Sequence, residues 1–312
     1  MHPALSVIFF TTLSGAGYGL LFWAAFASLF VDVSPRPLLW SIALALVLST
    51  IGLLSSMLHL GKPARAWRAF SQWRTSWLSR EGVSAMVTFV LAVLLAAALL
   101  PQELDGSMQS WRFRFSIAGA LVAVLAMCAA IATVHCTAMI YASLKPIPAW
   151  RHRLVPLVYQ AFALITGGLL FSAIADVGNM PALAAIVVAI ALALMKWRYW
   201  RAIDVPLPAT RGDAVGLPQR TATVFERPHT EANYLTKEMG FVVARKHARS
   251  LRMLSLVLFA ALPILLLVPA WMFVHLDTAP WYAAAALCAL AGAFVERWLF
   301  FAEAKHMVTL YY

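Results

Sequence analysis

The chain has 312 residues, 62% of them apolar and 12% charged, with a mean hydropathy of +0.81. Soluble domains carry about 25% charged residues, so a water-soluble globular fold is excluded. The net charge of +11, from 24 Lys and Arg against 13 Asp and Glu, would point a soluble chain toward nucleic acid. In a chain this apolar the cations fall between apolar runs and report membrane topology instead, and no nucleic-acid partner is expected.

Cut at charge clusters and prolines, the sequence predicts eight spans, each near the about 20 residues that an α-helix needs to cross a bilayer. The first, Ser6 to Phe30, follows the uncharged Met1-His2-Pro3 and has no basic leader, so it reads as a retained helix rather than a cleavable signal. Then come Leu38 to Leu60, Gly82 to Leu100, Phe113 to Tyr141, Leu154 to Ile174, Ala182 to Trp200, Met253 to His275 and Trp281 to Phe301. Period-two alternation is lacking and open sheets cannot satisfy their backbone in lipid. The expected fold is therefore all-α, a polytopic bundle of eight transmembrane helices forming a single membrane domain over residues 1–312. Cys128, Cys136 and Cys288 lie inside the runs, show neither metal-ligand nor redox-pair spacing, and read as small core residues.

Sorting the cations by loop tests the count of eight. The loops after spans two, four and six, with the C-terminus, hold Lys62, Arg65, Arg68, Arg74, Arg80, Lys145, Arg151, Arg153, eleven more from Lys196 to Arg252, then Arg297 and Lys305, which makes 21 of the 24. Only Arg36, Arg112 and Arg114 fall on the other side, beside Asp32, Glu103, Asp105, Asp176 and Asp277. The basic side should be cytoplasmic, with both termini there, in a bacterial inner membrane. The one long polar stretch, residues 201–252, begins with Pro206, Pro208, Pro218 and Pro228 among glycines and reads as irregular loop. It turns helix-forming from Thr230 and ends in Arg245, Lys246, Arg249 and Arg252. A solvated linker and a docking surface both fit it.

Ionisable groups inside the spans are almost missing. Glu81 begins the third, Glu296 and Arg297 lie near the end of the eighth, and only His135 sits well inside a run. Transporters and proton pumps need such groups across the bilayer, and no internal repeat is visible, so vectorial transport is not expected. The densest polar information lies between spans two and three, in His59-Leu60-Gly61-Lys62-Pro63-Ala64-Arg65-Ala66-Trp67-Arg68 and Trp77-Leu78-Ser79-Arg80-Glu81. Trp67, Phe70, Trp73 and Trp77 recur at three- and four-residue spacing, as on an interfacial helix, with Arg65, Arg68 and Gln72 on its other face. An aromatic belt with snorkelling cations explains most of this stretch, but not an imidazole and a carboxylate at one depth. His59 and Glu81 suit a quinone, whose ring oxygens need hydrogen bonds and exchange two protons per turnover, and the aromatic rings could stack on it.

At these residues the chain resembles the membrane anchor subunit of dimethyl sulfoxide reductase-type molybdopterin oxidoreductases. The opening Met1 to Gly17, the His59-Leu60-Gly61 segment with Arg65-Ala66, Ser79-Arg80-Glu81, and the ending Glu296 to Ala304 carry the resemblance. It implies eight spans, a quinone site at His59, Gly61 and Glu81, and no substrate-converting residue in this chain; the pattern of the stretch between spans two and three itself adds Arg65, Arg68 and Trp77 as candidates beside that site. It also implies an iron-sulfur electron-transfer subunit and a molybdopterin catalytic subunit as partners. Composition adds that three intramembrane cysteines cannot hold an iron-sulfur cluster, and that His59, His135 and His275 offer no convincing haem pair, so no metal is expected. The basic side, if cytoplasmic and also the docking side, favours the sulfite dehydrogenase branch, passing electrons from sulfite to ubiquinone or menaquinone. The alternatives are a terminal reductase anchor oxidising menaquinol, a polysulfide-reductase-type anchor, a purely structural anchor or a solute transporter.

Overall fold

In a computed structural model of the protein, the described residues are 3–58, 60–104, 116–205, 207–226, 231, 246–273 and 277–311. No strand occurs among them. Among the described residues eight helices are long and apolar enough to cross a membrane: α1 Leu5–Phe30, α2 Pro35–Met57, α3 Trp77–Leu104, α4 Ile117–Ala142, α5 Leu154–Ala175, α6 Met180–Ile203, α7 Ala248–Met272 and α8 Ala279–Ala302. The all-α eight-span bundle expected from the sequence is the fold observed. Prolines open α2, α6 and α8, where the missing N–H costs nothing, and the Ser116 hydroxyl caps α4 by accepting from the Gly119 N–H. One π turn, Val257–Ala261, interrupts α7 just before Pro263, widening the ladder where proline removes a donor.

Burial separates inner from outer helices. The apolar windows of α1, α5 and α8 are 61%, 56% and 56% buried, and those of the other five 33% or less. With no water to expel, helices in lipid associate by close packing of small residues. α1 and α5 show it: a Cβ on Gly19 would overlap the Ala163 carbonyl, and one on Gly167 would overlap the Gly19–Leu20 backbone. Gly19→Val should therefore cost at least the about 1–3 kcal/mol of an overpacked core, read as a lowered melting temperature of the purified protein, while Gly15→Ala, whose Cβ meets nothing, should be neutral.

Contacts between loops establish which helix ends lie together. The Trp150 indole N–H donates to the Phe300 carbonyl at 2.9 Å, tying the α4–α5 connection to the end of α8. Arg252 pairs with Asp204 and Glu303, joining the ends of α6 and α8 to the start of α7. Met307 N–H donates to Pro146 O, and the Tyr311 hydroxyl to Ala214 O. At the far end Arg36 pairs with Glu103 at 2.7 Å. Reporter fusions at Lys145 and Gly216 should accordingly report one side of the membrane and fusions at Asn179 and Asp277 the other. A single break in that alternation would reject the eight-span bundle.

Two readings of the sequence are corrected. Lys196 and Arg297, counted among the loop cations, are buried in the bundle; a run of cations at a helix end hides which of them faces inward. Cys128 is exposed rather than in the core. His135 lies within α4, inside the apolar run as read from the sequence, on an exposed face, with its ring against Trp77 at 6.1 Å. His275 and the helix-forming segment from Thr230 to Arg245 lie outside the described residues, apart from Glu231.

Candidate functional site

The site is built where the chain leaves α2 and returns as α3. α2 ends at Met57, and Pro63 opens a ten-residue 3₁₀ helix, Pro63–Gln72. Residues three apart eclipse in such a helix, so Trp67, Phe70 and Trp73 form one column. Trp67 and Trp73 are 66% and 53% exposed, with Arg68 and Arg74 stacked over their rings at 5.7 and 5.6 Å. The sequence places Trp77 on this helix and Arg68 on its other face; in the structure Trp77 opens α3 and Arg68 lies over the Trp67 ring. Phe70 packs on Gly82, which holds the 3₁₀ helix against α3. Arg80 fastens the return: its side chain donates to the carbonyls of Trp73 at 3.0 Å and Arg74 at 2.6 Å and lies over the Trp77 ring at 4.4 Å.

Behind this turn is a cavity of about 610 Å³, within the range of small-molecule sites. Exposed Gly61, Lys62 and Arg65 form its polar rim, and Glu81 and Gly82 on α3 line it. The remaining lining is largely apolar, from Val7 and Phe10 of α1 to Ile140 of α4. Glu81 is only 4% exposed, and its Oε1 has no hydrogen-bond partner among the described residues. A carboxyl taken out of water without a partner is costly, and inside a membrane protein such a group is a candidate for a functional site.

Of the residues singled out in the sequence, Gly61, Arg65 and Glu81 meet at the cavity. Arg68 and Trp77 do not line it, being placed in the belt and behind Arg80. His59 lies outside the described residues, although the next residues, Leu60 and Gly61, both line the cavity. Sequence reasoning missed the wall formed by Tyr141, Trp150 and Phe301. Tyr141 meets Phe301 edge-on at 5.1 Å and Trp150 at 5.5 Å. Phe301 belongs to the C-terminal segment that carried the resemblance, yet nothing in its spacing says that it folds back beside the α2–α3 turn.

A second polar group lies deeper. Lys196 of α6 and Glu296 and Arg297 of α8 are 1%, 0% and 2% exposed, with Lys196 Nζ at 2.5 Å from Glu296 Oε1 and Arg297 Nη1 at 2.9 Å from Glu296 Oε2. Lys196 also lies over the Tyr199 ring at 4.2 Å, and Arg297 over Tyr159 at 3.5 Å. Nearer the surface Arg252 holds Asp204 through two hydrogen bonds of 2.7 and 2.8 Å, and Glu303 through two more of 3.0 and 3.2 Å. Hydrogen bonding to Arg252 keeps the Asp204 carboxyl below its ordinary value, so this pair adds stability at neutral pH that is lost as pH falls below the aspartate range. Burial pushes Glu303 up against the same arginine, so this carboxylate opposes folding when ionised. Among the described residues no three His, Cys, Asp or Glu side chains gather as a metal site would need.

Eight apolar helices with a lined cavity at one end make this a multi-pass integral membrane protein. A family model described as the DMSO reductase anchor subunit (DmsC) matches residues 1–302. The chain is also 31% identical to a sulfite dehydrogenase subunit of Allochromatium vinosum, covering 100% of this chain and 99% of that one. The chain belongs to the DMSO reductase anchor subunit family, as the resemblance in the sequence implied.

Proposed function

We propose that this anchor binds quinone in the cavity behind the α2–α3 turn and exchanges electrons between the quinone pool and an iron-sulfur subunit of a molybdopterin oxidoreductase. The observation that carries the proposal is Glu81, a buried carboxyl whose Oε1 has no hydrogen-bond partner among the described residues, on the wall of a largely apolar cavity of about 610 Å³. A quinone ring has two carbonyl oxygens and otherwise apolar edges, and this cavity offers one acid in apolar walls. Glu81 is positioned to hydrogen-bond a ring oxygen and to hand it a proton, with Tyr141 and Trp150 as ring-stacking surfaces. His59, one residue before the lining Leu60, is assigned the opposite oxygen on the strength of the family resemblance. Arg65 at the rim suits a headgroup or a docked partner.

The same end of the bundle carries the basic connections, so it is assigned to the cytoplasm of a bacterial inner membrane, and the iron-sulfur and catalytic subunits dock there. Electron transfer requires close approach of donor and acceptor, and the cavity opens on this face. The Allochromatium relative is a sulfite dehydrogenase subunit, which favours electron flow from sulfite to quinone over quinol oxidation. Purified complex should reduce a short-chain quinone when supplied with sulfite and show little quinol-driven sulfoxide reduction. The reverse pattern would make it a terminal reductase anchor, the reading that the family model's description favours. Removing residues 211–226 should release the iron-sulfur subunit from membranes, as seen by immunoblot of the soluble fraction. Full retention with full activity would reduce this stretch to a linker.

A further inference from the structure

The charges of the buried triad do not cancel. Lys196 and Arg297 face Glu296 alone, so this part of the bundle interior holds one positive charge in excess. Charge in a low-dielectric interior is costly unless a counter-ion lies close. Both carboxylate oxygens of Glu296 are already engaged, one by each cation. Arg297 Nε, by contrast, has no hydrogen-bond partner among the described residues.

That nitrogen belongs to a wall rich in donors. Arg297 of α8 shares a cavity of about 10 Å³ with Thr12 and Tyr18 of α1 and Tyr159 of α5, room for one small occupant. Thr12 Oγ1, Tyr18 Oη and Tyr159 Oη are also buried and also have no hydrogen-bond partner among the described residues. Four polar hydrogens thus border one small space, and the guanidinium can only donate. Among the described residues no Asp or Glu lines the cavity. Its other hydroxyls donate along their own helices: Thr11 to Val7 O, Ser14 to Phe10 O, Thr137 to Thr133 O and Thr166 to Phe162 O.

Orphaned buried polar atoms are rare in folded proteins, and an ordered water is a common partner for them. A single water has two lone pairs, so it leaves two of the four protons unmet and the excess charge of the triad untouched. A halide ion accepts from all four and carries the missing negative charge. We propose that Arg297, Thr12, Tyr18 and Tyr159 form a binding site for a monovalent halide, chloride in the cell, which acts as counter-ion to the Lys196–Glu296–Arg297 triad. The ion lies among α1, α5 and α8, the three most buried helices, so its occupancy is read in the stability of the bundle.

The test is the melting temperature of the purified protein in detergent at fixed ionic strength, with sodium gluconate replaced stepwise by chloride, bromide or sulfate. Chloride and bromide should raise it saturably, by roughly 5 °C at about a hundredfold excess over Kd. Sulfate, a dianion too large for the cavity, should not. Tyr18→Phe and Tyr159→Phe each delete one donor at nearly constant volume. Each should move the chloride midpoint up about tenfold, the effect of one lost hydrogen bond to a charge. Crystals grown in bromide should show anomalous scattering from the cavity between Arg297, Tyr18 and Tyr159. Equal melting in chloride, bromide and gluconate, or bromide crystals without that peak, would overturn the halide site and leave an ordered water in its place. A halide effect undiminished in both Tyr variants would put the ion elsewhere and overturn it as well.

Discussion

Glu81→Gln should lower quinone turnover of the assembled complex by about 100-fold or more, the usual loss when a positioned acid–base group is removed. Gln keeps the shape and a hydrogen bond but carries no exchangeable acid proton. If Glu81 only held the ring, Gln would change KM and leave kcat. If it transfers the proton, kcat falls with KM nearly constant. Folding is not the confounder, because a buried carboxyl is replaced here by an uncharged amide, which is the less costly group to bury. Gly82→Leu gives an independent check: its Cβ would press on Phe70 and push the 3₁₀ helix from α3, so quinone affinity should fall while Glu81 remains. His59→Ala should act with Glu81→Gln at the same step. Wild-type turnover in Glu81→Gln would remove the cavity as the site of quinone chemistry.

How much of this was legible depends on what kind of signal each feature leaves. Apolar runs of about 20 residues and the one-sided cations declare the spans, and they give eight helices whose ends differ from the observed ones by a few residues, as at Leu38 against Pro35 and Gly82 against Trp77. The shift at α3 matters, since it moves Glu81 from the edge of a loop to the second turn of a helix. Gly61, Arg65 and Glu81 could be found because local turn chemistry and the family resemblance single them out. Tyr141, Trp150 and Phe301 could not, because aromatic residues at helix ends are common in membrane proteins and only the tertiary fold brings three distant ones together. Lys196 was hidden among Arg198 and Arg201. Its inward face shows only in the helical phase shared with Leu192 and Tyr199, both buried.

Glu296→Gln should be the most destabilising single change in the bundle. The triad has two cations and one anion, all nearly inaccessible, and Glu296 bonds one partner with each carboxylate oxygen. Neutralising it leaves Lys196 and Arg297 as two like charges in a low-dielectric interior, where breaking a buried ion pair costs about 3–5 kcal/mol. Ring faces at Tyr159, Phe162, Tyr199 and Trp200 soften this by about 1 kcal/mol each, but they were already engaged with the carboxylate present. The melting temperature in detergent should drop by roughly 10 °C, with less assembled complex in membranes. The double variant Lys196→Met with Glu296→Gln should recover a large part of the loss, because one uncompensated cation is removed and Arg297 keeps the Gln carbonyl as an acceptor. Wild-type melting of Glu296→Gln, or no recovery in the double variant, would show that the triad contributes by packing rather than by charge.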